Sequence, residues 1–296
     1  MPSSLPHAVV ADQTSLPGPS STSLDGGPFG VCGYRPHMSD DTIRLDRDGQ
    51  VLIITIDRPE VRNAVDQRTA DALFAAFSEF ESDPGLAVGV LTGSDGTFCS
   101  GADLKAVAIG EGPRVHDDPS RPGPLGPTRM HLSKPMIAAV EGHAVAGGLE
   151  LSLLCDLRVA AEDAVFGVYC RRWGVPLIDG GTIRLSRMIG HSHALDMILT
   201  GRGVSGQEAQ MMGLANRLCA PGAALETAVA LAHELAAFPQ GCLRSDRRSS
   251  YEQWSMSMDE ALANETTLGL AVIRSGETRD GASRFAGGAG RHGTFH

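Results

Sequence analysis

Nowhere in the chain do lysine and arginine gather into a long run, and 25 basic residues face 35 acidic ones for a formal charge of −10. That balance lacks the basic footprint of a nucleic-acid binder and sets that class aside. It leaves an anionic small molecule open, because a few local cations and backbone N–H groups hold phosphates whatever the sign of the whole. The six cysteines, Cys32, Cys99, Cys155, Cys170, Cys219 and Cys242, form no C-x-x-C pair and no regular framework. They read as reduced thiols of a cytoplasmic protein. No basic stretch followed by an apolar core opens the sequence, so a secretory signal is unsupported. The most apolar region, 136–161, is interrupted by Glu141, Glu150, Asp156 and Arg158, which marks a buried core and not a membrane span. H-E-x-x-H and G-x-S-x-G are missing, and the 10 histidines form no Cys/His cluster. Neither a metal site nor a serine hydrolase is expected.

What is present fits a soluble globular domain: 296 residues, 42% hydrophobic and 20% charged, with 36 glycines for tight turns. Residues 1–37 are rich in Ser, Pro and Gly without helical or strand period, and are expected to be a disordered tail. Met38 opens a stretch that reads as a natural start, so the true first residue is either Met1 or Met38. The expected division is an α/β core over 38–220 and a helical carboxy-terminal region with a Gly-rich tail over 221–296.

Val51 to Asp57 is a β-branched run suited to a buried strand. Asp66 is placed to cap a helix whose Leu73, Phe74, Phe77 and Phe80 recur at helical spacing and which ends near Asp83-Pro84-Gly85. Strands are expected from Ala87, over 136–140 and from Leu157, with a helix over 147–155 between the last two. Strands separated by helices predict an α/β architecture. The Gly- and Pro-dense segment 110–127 has no period and reads as a mobile loop. Beyond about residue 190 the pattern predicts helices at 191–200, at 205–212 with Ser205 as cap, at 223–236 and at 256–270. No strand is expected there, and 276–296 reads as a Gly-rich end.

Two stretches carry chemistry. Phe98 to Lys105, "FCSGADLK", follows a strand and holds small residues where a backbone can approach a ligand. Glu141 to Glu150 leads through Gly147-Gly148 into a helix whose first N–H groups are open to an anion. Together they offer two N–H donors that could converge on one developing oxyanion. "AGGLE" lacks the G-x-G-x-x-G spacing of a dinucleotide-binding turn. Glu150, in the first turn of an otherwise apolar helix, is the leading acid/base candidate; burial would raise its pKa and the helix start would lower it.

"RPEVRNAVD" at 58–66, "FCSGADLK" at 98–105, "AVAGGLELSLLCD" at 144–156 and "GGTIRL" at 180–185 stand in the order and spacing of the crotonase (enoyl-CoA hydratase/isomerase) superfamily. The chain resembles that family over about residues 42 to 287. The resemblance implies a ClpP/crotonase-type α/β spiral of repeated ββα units, a helical carboxy-terminal oligomerisation region, and a homotrimer or dimer of trimers. It implies an acyl-CoA substrate, with coenzyme A as part of the thioester and no tightly bound cofactor, metal, nucleic acid or membrane. Ala102 and Gly147 take the positions whose N–H groups grip the thioester carbonyl. Arg62, Ala64, Ala102, Asp103 and Lys105 resemble the CoA side of the site, with the Asp103 carboxylate expected to cap a local turn.

Glu150 occupies the place of one of the family's two catalytic glutamates. The other is replaced by Cys170, a thiol and a poor proton donor to carbon. Asp179 is the nearest carboxylate, one residue from where some members carry an acidic group; its alternative is an N-cap of the following helix. The reaction expected is that of a hydratase-like lyase or isomerase. Thioester or C–C hydrolysis, or a non-catalytic acyl-CoA-binding trimer, are the alternatives that the exchange at Cys170 keeps open.

Overall fold

A computed structural model of the protein describes residues 42–290; the expected tail over 1–37 and both candidate starts lie outside the described residues. In chain order the elements are β1 (Ile43–Asp48), β2 (Val51–Ile56), α1 (Gln67–Ser82), β3 (Val88–Gly93), α2 (Leu104–Ala108), β4 (Met136–Val140), β5 (His143–Val145) and α3 (Gly147–Leu154). They continue as β6 (Leu157–Ala161), β7 (Val165–Gly167), α4 (Gly181–Thr200), β8 (Gly203–Ser205), α5 (Gly206–Met211), β9 (Arg217–Cys219), α6 (Ala224–Ala237), α7 (Gln240–Glu252), α8 (Met258–Ser275) and α9 (Glu277–Ala286).

A six-stranded sheet runs in the order β1-β2-β3-β4-β6-β9 and a three-stranded one in the order β5-β7-β8. All pairs of the larger sheet beyond β1·β2 are parallel. Both of its faces are covered, which is why its strands read as unbroken apolar runs. Ile54, Ile56, Leu91, Ala138 and Val140 enter one core with α1 and α3. Val51, Val88, Val90, Ile137 and Val159 enter a second with Ala228, Leu231 and Ala232 of α6.

The chain visits the large sheet and then the small one in successive turns: β4, β5, α3 and then β6, β7, α4. The segment after β3 repeats this with its second strand shortened to one parallel bridge, Cys99 to Ala144 of β5. This is the expected ββα spiral.

Two buried cations close helix ends. Lys134 donates to the carbonyls of Phe80 and Asp83, each at 2.6 Å, beyond the last turn of α1. Arg158 donates to the carbonyls of Ser152 at 3.2 Å and Cys155 at 2.8 Å, at the end of α3, and to Leu214 at 2.6 Å. Positive charge there satisfies orphan carbonyls and complements the helix dipole.

The carboxy-terminal third corrects several expectations. Strands are present beyond residue 190: β8 pairs antiparallel with β7, and β9 extends the large sheet beside β6. Each has three residues, too few to display alternation. The helix expected at 191–200 begins at Gly181 and bends at Gly190, whose φ is 76°. α7, unforeseen because its sequence is largely polar, is held by Asp156, which accepts from Arg247 at 2.8 Å and Tyr251 at 2.7 Å. The stretch expected to be a Gly-rich end contains α9.

Candidate active site

Cys99 pairs with Ala144 across the spiral, its N–H donating to the His143 carbonyl and its carbonyl accepting from Val145. Three residues further along each strand lie Ala102 and Gly147, so register alone makes them equivalent positions in adjacent turns. Val65 takes the carbonyl of Gly101 and the N–H of Asp103, which turns the intervening Ala102 N–H the other way. Gly147 opens α3 and its N–H has no intrahelical acceptor. Among the described residues neither N–H has a protein partner.

Close approach of the two turns demands glycine. A Cβ on Gly101 would lie 2.7 Å from the Gly147 nitrogen, and one on Gly148 would overlap the Cys99 carbonyl. Between them Ala146 caps α3 with φ 53° and ψ −123°, a conformation costing a non-glycine residue about 1–3 kcal/mol. That strained turn aims the Gly147 N–H.

The first motif braces the second. The Asn63 side chain is fully buried, accepts from the Arg58 N–H at 2.9 Å, and donates to the carbonyls of Ser94 at 2.9 Å and Thr97 at 2.6 Å. Arg58 donates to the Ala64 carbonyl at 2.6 Å and pairs with Asp66 at 3.1 Å and Asp103 at 3.3 Å. The Asp103 carboxylate also caps α2, accepting from Lys105 and Ala106, so it is engaged in holding the Ala102 turn. Arg62, in the left-handed region at φ 56°, and Lys105 are exposed beside this turn, whereas Ala64 is buried.

Glu150 lies one helical turn after Gly147 and is 2% exposed. Its Oε1 accepts the N–H groups of Asp179 at 2.9 Å and Gly181 at 2.8 Å; among the described residues Oε2 has no protein donor. A Cβ on Gly181 would lie 2.8 Å from Oε1, so this glycine makes room for the carboxyl. Burial, then the nearby charge of Asp179, push the Glu150 carboxyl up to about 7 against the opposing pull of the two N–H groups and Arg184.

Asp179 is not an N-cap: Gly180 holds that position on α4 and no side chain caps the helix. The Asp179 carboxylate instead accepts from the Leu125 N–H at 3.1 Å and from the Thr128 hydroxyl. Burial raises its pKa too. Arg184 adds a bond to the Thr128 carbonyl at 2.7 Å. The segment read as a mobile loop is therefore anchored over 123–128, all buried, and brings the Leu125 side chain against Gly147. Sequence reading missed Leu125, Thr128 and Arg184, whose order comes from a carboxylate 54 residues away from Leu125.

Cys170 lies in the third turn of the spiral, between β7 and α4, and is buried. Burial, and next the Glu150 charge, raise its thiol pKa, so at neutral pH it stays protonated beside Glu150 and offers no base. Among the described residues no group of three His, Cys, Asp or Glu side chains could hold a metal ion, and no helix is long and apolar enough to cross a membrane.

Two free N–H donors in adjacent turns of the spiral, one of them a helical turn before a buried carboxyl of raised pKa, can stabilise an oxyanion and move a proton beside it. The enoyl-CoA hydratase/isomerase family model matches residues 46–288. The chain belongs to this family, within the crotonase superfamily. It is 35% identical to enoyl-CoA hydratase EchA19 of Mycobacterium tuberculosis over 82% of this chain and 92% of that one. It is 36% identical to the carnitinyl-CoA dehydratase of Salmonella arizonae over 81% of this chain and 88% of that one. The solved enoyl-CoA hydratase EchA1 of Mycobacterium marinum superposes with a TM-score of 0.78 at 37% identity, covering 83% of this chain and 96% of that one.

For this enoyl-CoA hydratase/isomerase family member the raised Glu150 pKa has a stability consequence. Between the ordinary value of 4.5 and about 7 the folded chain keeps a proton that the unfolded chain has lost, so stability falls as pH rises through that window, by about 3 kcal/mol in all. Glu150→Gln accepts the same two N–H groups without a titrating proton. Urea unfolding should find it more stable than wild type by up to ~3 kcal/mol above pH 7, the advantage shrinking toward pH 4.5. A pH-independent difference would contradict the shift.

Proposed function

We propose that the protein adds water across the double bond of a 2-enoyl-CoA, or removes it from a 3-hydroxyacyl-CoA, with Glu150 as the sole proton carrier. The observation that carries this reading is the buried Glu150 carboxyl with one oxygen tied to backbone and its pKa near 7. Such a group serves equally as base and acid at neutral pH. The names of the similar hydratase and dehydratase proteins support the same pair of directions.

In hydration the thioester oxygen would rest on the Ala102 and Gly147 N–H groups. Glu150 takes a proton from water as the water oxygen bonds to Cβ, and the double-bond electrons move toward the thioester oxygen as an enolate. The enolate then collapses and Cα takes the proton from Glu150. One water supplies both the hydroxyl and the hydrogen, so no second carboxylate is consumed, and dehydration is the reverse. Each oxyanion donor is worth about 3 kcal/mol in such a transition state. Asp179 is a positioning residue here: it anchors the loop bearing Leu125 and raises the Glu150 pKa. Coenzyme A enters as part of the substrate, with Arg62, Ala64 and Lys105 on its side of the Ala102 turn.

Crotonyl-CoA hydration tests this directly. Glu150→Gln should lower kcat by about 10²- to 10⁴-fold. Asp179→Asn keeps an oxygen for Leu125 and Thr128 but removes a negative charge, so the acid limb of kcat/KM should move to lower pH, with kcat kept within about tenfold. An Asp179→Asn variant that loses over ~10²-fold with an unmoved limb would make Asp179 a proton carrier itself. Wild type inert toward crotonyl-CoA and its 3-hydroxy product would sink the hydration reading.

The same family resemblance supports a trimer. α8 has no buried residue and exposes Met258, Leu262, Leu270 and Ile273, an apolar side suited to a second copy. Sedimentation velocity at micromolar concentration should find three or six chains; a lone monomer would refute it.

A further inference from the structure

Lys134 and Arg158 close the carboxy-terminal ends of helices, where the dipole favours a cation. Arg184 stands at the opposite pole. It is the fourth residue of α4, counted from Gly181, and is half-buried there. Its own N–H already closes a helical bond to the Gly180 carbonyl at 2.9 Å. The helix therefore has no use for the guanidinium, and its positive end disfavours one.

Tertiary contacts hold it instead. The guanidinium donates to the Asp179 carbonyl at 2.9 Å and to the Thr128 carbonyl at 2.7 Å. The side chains of this same pair meet where the Asp179 carboxylate accepts the Thr128 hydroxyl. Two segments 51 residues apart are thus joined twice, once by that contact and once by the arginine fork. Gly180 leaves the space for it: its φ is 93°, and a Cβ there would overlap the guanidinium. Asp179 also gives its N–H to Glu150 at 2.9 Å. One residue therefore ties Glu150, the loop at Leu125 and Arg184 together.

The titratable groups that face Arg184 are Tyr251 from α7, Glu150 and Cys155 from the α3 side, and Asp179 from the turn before α4. Burial and the Asp156 charge raise the Tyr251 phenol, and burial pushes the Cys155 thiol up to about 12. Both are neutral near pH 7. Cys170, raised by burial and then by the Glu150 charge, is neutral as well. The charges that remain to act on Arg184 are the two carboxyls, and Arg129 is the other cation that acts on Asp179. A guanidinium keeps its charge throughout this range. It opposes the rise that burial and Asp179 impose on Glu150.

We infer that Arg184 is a positioning residue for the proton-carrying carboxyl: it clamps the Asp179 and Thr128 backbones together, and its charge offsets that of two adjacent buried carboxyls. The inference deepens the hydration reading and rests on it for the reaction that Glu150 performs. Infrared difference titration of the whole protein, labelled with ¹³C at glutamate side chains, reads Glu150 without turnover. In Arg184→Gln the Glu150 midpoint should rise by about one pH unit, the effect of losing a nearby opposite charge. Arg184→Lys keeps the charge and should return the midpoint to the wild-type value. Amide exchange of the peptide that carries Leu125, read by mass spectrometry, should be about tenfold faster in Arg184→Gln. Removing one charge from a buried cluster can unfold a protein. If circular dichroism finds Arg184→Gln unfolded, the same exchange is made in Asp179→Asn, where the cluster loses one charge of each sign. The midpoint should then lie about one pH unit above that of Asp179→Asn alone. A midpoint that stays in place in the folded neutral variant, or moves as far in Arg184→Lys, overturns the inference, and unchanged exchange overturns the clamp. Crotonyl-CoA hydration is run separately. The acid limb of kcat/KM should follow the midpoint upward, opposite to Asp179→Asn; a limb that stays while the midpoint moves removes Arg184 from the reaction. Wild type inert in that assay, with the midpoint moving as described, sinks the hydration reading and leaves the grip of Arg184 on the carboxyls standing.

Discussion

The joint between α3 and α4 at the Glu150 carboxyl governs the rest of the site. One oxygen accepts the N–H groups of Asp179 and Gly181, so the side chain is held by the backbone that leads into the next helix. That backbone also presents the Asp179 carboxylate, which holds the loop at Leu125 and Thr128. Position, protonation and the wall of the pocket thus depend on one buried contact. Two carboxyls this close cannot both ionise freely in a low-dielectric interior. The pKa of Glu150 is raised by the same burial that locates it.

The pair of free N–H groups at Ala102 and Gly147 arises from repetition. Each turn of the spiral leaves a large-sheet strand, passes the small sheet and enters a helix, so Ala102 and Gly147 stand three residues beyond partners in one parallel bridge. Repetition of backbone geometry sets two free N–H groups at equivalent places in adjacent turns without any special side chain. What the sequence must supply is space, through Gly101, Gly147 and Gly148, and tolerance of strain at Ala146. The third turn carries Cys170, whose thiol stays protonated and adds no base beside Glu150.

Much of this was legible in the residues. Apolar strands at 51–57 and 136–140 and the capped helix from Asp66 follow from local pattern, because their cores form beside them. Two N–H-bearing turns and the Glu150 candidate were legible in the residues, and the resemblance to the crotonase superfamily named Ala102 and Gly147. The anchored loop was not: the Gly- and Pro-rich segment has no period, and its order comes from a distant carboxylate and from Arg184. The role of Asp179 was hidden for the same reason, since its partners are remote in sequence while the neighbouring helix start looked like the natural one. β8 and β9 escaped notice because three residues cannot show a two-residue alternation.

The central claim is that Glu150 holds a proton near neutrality in the folded protein. Infrared difference titration of protein labelled with ¹³C at glutamate side chains reads that carboxyl directly. The account predicts one glutamate band that titrates near the value of about 7 and disappears in Glu150→Gln. If every glutamate band titrates in the ordinary range near 4.5, or if the band near neutrality survives that substitution, Glu150 is not the proton carrier described here.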